Sequence, residues 1–220
     1  MKRFLIVSAT LAAAAAVLAA GAPVGAQAQT FKAQLPVMTT SAGQSNDVNT
    51  VNAVLEEAEI KYDYCDVPTV EILAAGVGLA GKASGEGFHV ESTTDTAKYP
   101  KGTPFKSVII AIGASLKGMG ASGLTVDAEE ARVKKIIDAC KKSKIFVIAV
   151  HPGGAAARGP AGSDNERMID AVAPYADALI ITKDSNKDGR FSKIADKTKS
   201  VLVQVDYALG MVEVLKKALS

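Results

Sequence analysis

The sequence predicts a doubly wound α/β domain: an open, mostly parallel sheet of about five to six strands, flavodoxin-like or Rossmann-like. Three observations carry that expectation. Residues Ser107–Ile112 and residues 145–150 are short β-branched runs without apolar–polar alternation, as strands buried on both faces require. They are interleaved with stretches whose apolar residues recur every three or four positions, as at Val133, Ile136, Ile137 and Cys140. Helices between strands imply crossover connections, which are right-handed and lay helices on both faces of the sheet. By analogy, the strand order 2-1-3-4-5 is expected.

The elements follow in order. Residues 35–40 read as a strand, and residues 46–58 as the helix after its turn. Residues 60–64 form the second strand, and residues 68–81 a helix weakened by Gly76 and Gly78. Residues 84–103, rich in Gly, Ser, Thr and Lys, read as an inserted excursion with a short strand near residues 88–91. After the strand Ser107–Ile112, Asp127 and Glu130 form a capping-box pattern ahead of an amphipathic run to Lys142. Ser163 and Glu166 repeat the pattern for a helix ending near Pro174. Strand Ala178–Thr182, a helix over residues 190–197, strand Val201–Val205 and a helix over residues 209–219 complete the chain.

Ahead of these elements, Lys2 and Arg3 precede an apolar run from Phe4 to Ala20. Gly21, Pro23 and Gly25 break it, and Ala26-Gln27-Ala28 supplies small residues at cleavage spacing. This is the pattern of a secretory signal peptide over residues 1–28. Its cleavage leaves residues 29–220 as one periplasmic domain, with an inserted region near residues 80–104 and no membrane span. The apolar run falls short of the roughly 20 residues a span prefers.

The chain carries 25 basic and 23 acidic residues. Lys2 and Arg3 leave with the leader, so the mature domain has 23 of each. A neutral domain with interspersed signs has no footprint for nucleic acid or anionic lipid. The clusters Lys134-Lys135, Lys141-Lys142-Lys144 and Lys216-Lys217 read as solvated helix faces. Tryptophan is absent, which counts against a large carbohydrate ligand. Cys65 ends a strand, whereas Cys140 sits late in a helix on its apolar stripe. Those positions belong to opposite poles of a parallel layer, so no disulfide between them is expected, and Cys140 reads as a small buried hydrophobe.

Open α/β sheets bind ligands beyond the carboxyl ends of their strands. Four loops there combine glycine with polar groups. In the first, Ser41, Gly43, Gln44 and Ser45 lead into a helix whose N-terminus favours an anion, though Ser45 serves equally as a simple N-cap. In the second, Ser115, Lys117 and Gly118 lie in a glycine-rich run suited to wrapping an anion or to plain connection. In the third, His151 is followed by Gly153, Gly154 and Arg158. His151 is the candidate general base or a structural group, and Arg158 a bidentate anion clamp. In the fourth, Lys183 precedes Asp184, Asn186, Asp188 and Gly189, half of a calcium loop whose twelfth position is Ala195 rather than Glu. Asp184, Asn186 and Asp188 are therefore only weak metal candidates. The first of these loops is neither a Walker loop nor a G-x-G-x-x-G; no G-x-S-x-G or C-x-x-C is present, and two histidines cannot make a three-imidazole zinc site. No cofactor is expected.

The runs LPVMTTSAGQS (residues 35–45), IGASLKGMGASGLTVD (residues 112–127) and HPGG with Arg158-Gly159, and the long run from Ser163 through the NKDG turn to Ala195, carry a resemblance. Together they resemble an exported bacterial family known only as a domain of unknown function. The resemblance spans most of the mature chain. It implies an extracytoplasmic location and one α/β domain, and no activity; the segment near residues 80–103 departs from it.

The leading functional expectation is a periplasmic binding or sensing domain for a small anionic solute, a carboxylate or phosphate compound, which it could hand to an inner-membrane transporter. The alternatives are an exported hydrolase or transferase using His151 as base, and a non-enzymatic component whose loops face a protein partner.

Overall fold

The computed structural model describes residues 30–76, 90–92 and 102–220. The segment expected as a leader, His89 and most of the region expected as an inserted excursion lie outside the described residues. Among the described residues, seven strands form one sheet: β1 (Val37–Ala42), β2 (Tyr62–Cys65), β3 (Val90–Ser92), β4 (Ser107–Ile112), β5 (Phe146–His151), β6 (Ala178–Thr182) and β7 (Val201–Val205). The order is β3-β2-β1-β4-β5-β6-β7. Six of these strands are parallel, and β3 pairs antiparallel with β2 at the edge. The parallel strands therefore keep the expected doubly wound order and extend it by one.

The helices are α1 (Asp47–Glu57), α2 (Val70–Ala75), α3 (Leu116–Ala121), α4 (Val126–Ser143), α5 (Asp164–Val172), α6 (Arg190–Thr198) and α7 (Met211–Ala218). Right-handed crossovers sort them by direction of travel. The path from β1 to β2 runs opposite to all later ones, so α1 packs on one face, where α7 joins it. Helices α2, α4, α5 and α6 cover the other face. Strand β4 is buried along its whole length between these layers, with Ile109 facing one and Ile110 the other. Truncating either to Ala removes about 2–5 kcal/mol of stability.

Several boundaries depart from the expectations. Strand β1 begins two residues late, and His151 is the last residue of β5 rather than the first beyond it. Helix α2 stops at Ala75, because Gly76 takes a left-handed φ of 69°. The glycine-rich run after β4 folds into α3, whose weak propensity is offset by Ser115 Oγ accepting from Gly118 N at 3.0 Å. The caps also differ. Thr125 Oγ1, not Asp127, caps α4 by accepting from Ala128 N at 3.1 Å. Asn46 occupies the N-cap position of α1, and Ser163 makes no side-chain cap on α5.

Cys65 and Cys140 are free and buried in the same core layer. Burial pushes both thiols up to about 12. Because the helices run back against the strands, their C-termini gather at the amino pole of the sheet, where the described chain also enters at Thr30. The loops that follow the strands gather at the opposite, carboxyl edge.

Candidate functional site

The strand order reverses between β1 and β4, so their loops flank the crevice where an open sheet presents a ligand site. Here the two loops close on one another. Ser115 N donates to Gly43 O at 2.7 Å, Gly113 N donates to Ala42 O at 3.1 Å, and Gln44 bridges Ala114. The approach needs glycine: Gly43 has φ 98°, and a Cβ there would stand 2.3 Å from Gly113 O. A Cβ at Gly118 would stand 2.0 Å from Gln44 O. Asn165 Oδ1 takes the remaining loop donor, Ala114 N, at 2.8 Å.

An internal carboxylate occupies the position that backbone donors at a strand end offer to an anion. Glu129, on the first turn of α4, is 0% exposed. It accepts from Gly43 N at 2.8 Å, from Gln44 Nε2 at 3.3 Å and from Arg132 Nε and Nη2. Burial opposes its charge. Hydrogen bonds and attraction from Arg132, with the Gly43 and Gln44 donors, nevertheless hold its carboxyl below the usual range. Arg132 Nη2 also donates to Ser41 O at 2.7 Å, whereas its Nη1 and the buried Ser41 Oγ have no hydrogen-bond partner among the described residues. Ser45 donates to Asp47 Oδ2 at 2.8 Å. That places the Asp47 carboxylate against the backbone of Gly113 and Gly153.

At the end of β5, His151 is 0% exposed. Its Nε2 lies 3.2 Å from Ala157 O, an acceptor only, so Nε2 carries the proton. Nδ1 then accepts from Ser185 Oγ at 2.7 Å, and Thr182 Oγ1 stands 2.8 Å from that hydroxyl. Burial depresses the His151 pKa below its ordinary value, outweighing the Ala157 carbonyl. The ring is neutral at pH 7 and has no open side from which to serve as a base.

Arg158 is a clamp, but on the protein itself. Its guanidinium holds Glu166 at 2.6 Å and Asp188 at 2.8 Å, donates to Ser185 O, and lies 5.6 Å from the Phe191 ring centroid. Glu166, 1% exposed, also binds Arg190. Lys183 pairs with Asp206 at 2.7 Å. The half calcium loop is likewise divided among separate partners: Asp184 accepts from Ala155 N at 2.7 Å and pairs with Lys187, Asn186 accepts from Phe191 N at 2.9 Å, and Asp188 holds Arg158. Among the described residues, no group of three or more His, Cys, Asp or Glu could hold a metal ion.

The structure thus brings Ser41, Gly43, Gln44, Ser115 and Gly118 together at the switch point, and His151, Gly154 and Arg158 in a neighbouring cluster with the 183–188 turn. Lys117 alone of the expected cations is exposed and without an ion pair among the described residues. The residues that organise the edge, Glu129, Arg132, Glu166 and Asp47, were absent from the expected set. A signal existed for two of them. Glu129 stands four positions before Val133, and Glu166 three before Ile169, so each interrupts the apolar stripe of its own helix.

Three large apolar side chains also stand out at this edge: Leu116, 67% exposed, and Tyr207 and Leu209, 66% and 61% exposed.

A family model described as a domain of unknown function, DUF6305, matches residues 34–219. No curated protein matches the chain. A crystal structure of a GDP-L-fucose synthetase from Naegleria fowleri bound to NADP is similar at 10% identity over 80% of this chain, with a TM-score of 0.29. The chain spans 50% of that enzyme's chain, and so slight a likeness carries no argument about site or activity.

Proposed function

We propose, from the premise that the chain belongs to the DUF6305 family, that it is an exported, non-catalytic binding component whose carboxyl edge engages a partner protein. One observation carries this reading. The polar loops of the edge are hydrogen-bonded internally, while Leu116, Tyr207 and Leu209 stay more than half exposed beside them. Strands β4 and β7, which these residues follow, are three strand spacings apart, roughly 14 Å. That breadth suits a patch of the size one partner contributes to a standard interface, about 800 Å². Tyrosine is among the side chains that dominate binding energy at interfaces, and an exposed apolar patch rimmed by polar groups marks an interaction surface. The test is crosslinking of the exported protein in its host, comparing wild type with Leu116→Glu and Leu209→Glu. Loss of one defined crosslinked species in both variants supports the reading; unchanged crosslinking refutes it.

A second reading, a sensing or binding site for a small carboxylate or phosphate solute delivered to an inner-membrane transporter, is favoured by one unpaired ammonium and one unused guanidinium nitrogen. These are the Lys117 ammonium and the buried, unpartnered Nη1 of Arg132. Thermal-shift measurements against such solutes test it. A ligand at a hundred times its dissociation constant adds about 2.7 kcal/mol. A shift lost in Lys117→Ala supports this reading, and a flat panel refutes it. The hydrolase or transferase reading would need the His151 ring uncovered first.

A further inference from the structure

The net charge of the mature domain hides a gradient. The last turns of α4 and α7 and the residues leading into β4, β5 and β7 all end at the amino pole, and the cations they carry are lysines. Contacts between neighbouring segments make one stretch of them. Lys32 Nζ donates to Lys217 O at 2.7 Å, at the rim of a depression of about 350 Å³ lined by both lysines. The adjacent Phe31 stacks on Phe146 at 5.7 Å, and Phe146 N donates to Lys106 O at 3.0 Å, two residues after the exposed Lys144. Beyond them Lys141 and Lys199 line a second depression of about 280 Å³ with Tyr175, whose ring is half exposed.

Within that stretch Asp177 is already paired with Lys141 at 2.6 Å, and the exposed Asp196 lies in the last turn of α6 between Lys193 and the pair Lys197 and Lys199; Glu56, Glu57 and Glu59 sit at the end of α1. The arginines tell the same story by their absence. Arg132, Arg158, Arg167 and Arg190 are all bound to carboxylates elsewhere. Arginine suits fixed, bidentate recognition, whereas lysine is a mobile point charge on a long stem. A lysine-only surface with a half-exposed tyrosine therefore matches a diffuse anionic plane better than a shaped protein partner.

We propose that the amino pole docks on an anionic phospholipid surface, at the end where the described chain begins. This orients the carboxyl edge, and any partner it engages, away from the bilayer. The inference uses none of the carboxyl-edge residues, so it stands or falls apart from the reading above.

The experiment is vesicle flotation of the processed chain, secreted by an exporting bacterial host. Vesicles of pure phosphatidylcholine are compared with vesicles containing phosphatidylglycerol. Wild type floats with the anionic vesicles at low ionic strength, and binding falls at least tenfold at several-fold higher salt, because the Debye length shrinks. Lys106→Glu/Lys144→Glu/Lys199→Glu abolishes flotation, a milder Lys→Gln triple at the same positions weakens it, and Lys193→Glu, exposed in the first turn of α6 at the opposite edge, leaves it intact. Circular dichroism melts confirm that the variants fold. Equal binding to both vesicle types, binding unchanged in the charge-reversed triple, or retention on heparin without vesicle binding would each overturn the proposal.

Discussion

Replacing Glu129 with Ala tests the claim that an internal carboxylate closes the switch point. The change leaves the Arg132 guanidinium, whose side chain is only 11% exposed, without its carboxylate, and leaves Gly43 N without an acceptor. Breaking a buried pair from one side costs about 3–5 kcal/mol, because the remaining charge stays desolvated. Against typical domain stabilities of about 5–15 kcal/mol that is a large share. For a chain of this size it corresponds to a melting temperature lower by about 6–20 °C. Urea unfolding followed by far-ultraviolet circular dichroism at pH 7 reads it directly: the midpoint falls and the m-value stays constant. Two further variants sharpen the test. Glu129→Leu/Arg132→Met removes both charges and should cost less than Glu129→Ala, since no uncompensated ion remains. Glu129→Ala should also regain stability with added formate, as a free carboxylate enters the vacated position. A loss below about 1 kcal/mol, or a double variant whose cost equals the sum of the singles, would refute the argument that Glu129 and Arg132 act as one buried unit.

Other measurements probe neighbouring parts of the edge. His151 has a folded-state pKa below its unfolded value of 6.5, so below pH 6.5 the unfolded chain binds more protons. Stability should therefore decline as pH falls from 6.5, and His151→Gln should flatten that slope in urea titrations; an unchanged slope would exclude His151 as its source. Gly43→Ala forces a Cβ onto Gly113 O at a positive φ, so it should cost more than about 1 kcal/mol by thermal melting. Glu166→Gln weakens a 1% exposed carboxylate shared by two arginines and should cost several times more than Asp188→Asn, whose side chain is 55% exposed. The Asp188 change should stay within about 1 kcal/mol. Comparable losses in the two would mean that burial does not set the strength of this network.

Much of the architecture was legible because its signals are local. Strand β4 announces itself as an uninterrupted β-branched run, and α4 by the spacing of Val133, Ile136, Ile137 and Cys140. Where local signals conflict, they mislead. Gly118 and Gly120 argue against a helix, yet α3 forms there because Ser115 caps it and Met119 is buried beneath it. The candidate site was legible in place and not in role. Reading along the chain, Lys183, His151 and Arg158 fall just where strands end, as a ligand site requires. Nothing along the chain tells that Arg158 faces Glu166 and Asp188, or that Lys183 faces Asp206.

By itself, then, the sequence determined the alternation of strands and helices, the doubly wound class and the location of polar loops. Those depend on residue type and on periods of two and 3.6 within a few neighbours. Only the tertiary structure decided which polar groups remain free. Hydrogen-bond and charge partners come from distant segments: Glu129 lies 86 residues from Gly43, and Arg132 lies 91 from Ser41. The same holds for the lysines of the amino pole, spread along the chain from Lys32 to Lys217 and gathered because every returning helix ends on one side of a parallel sheet.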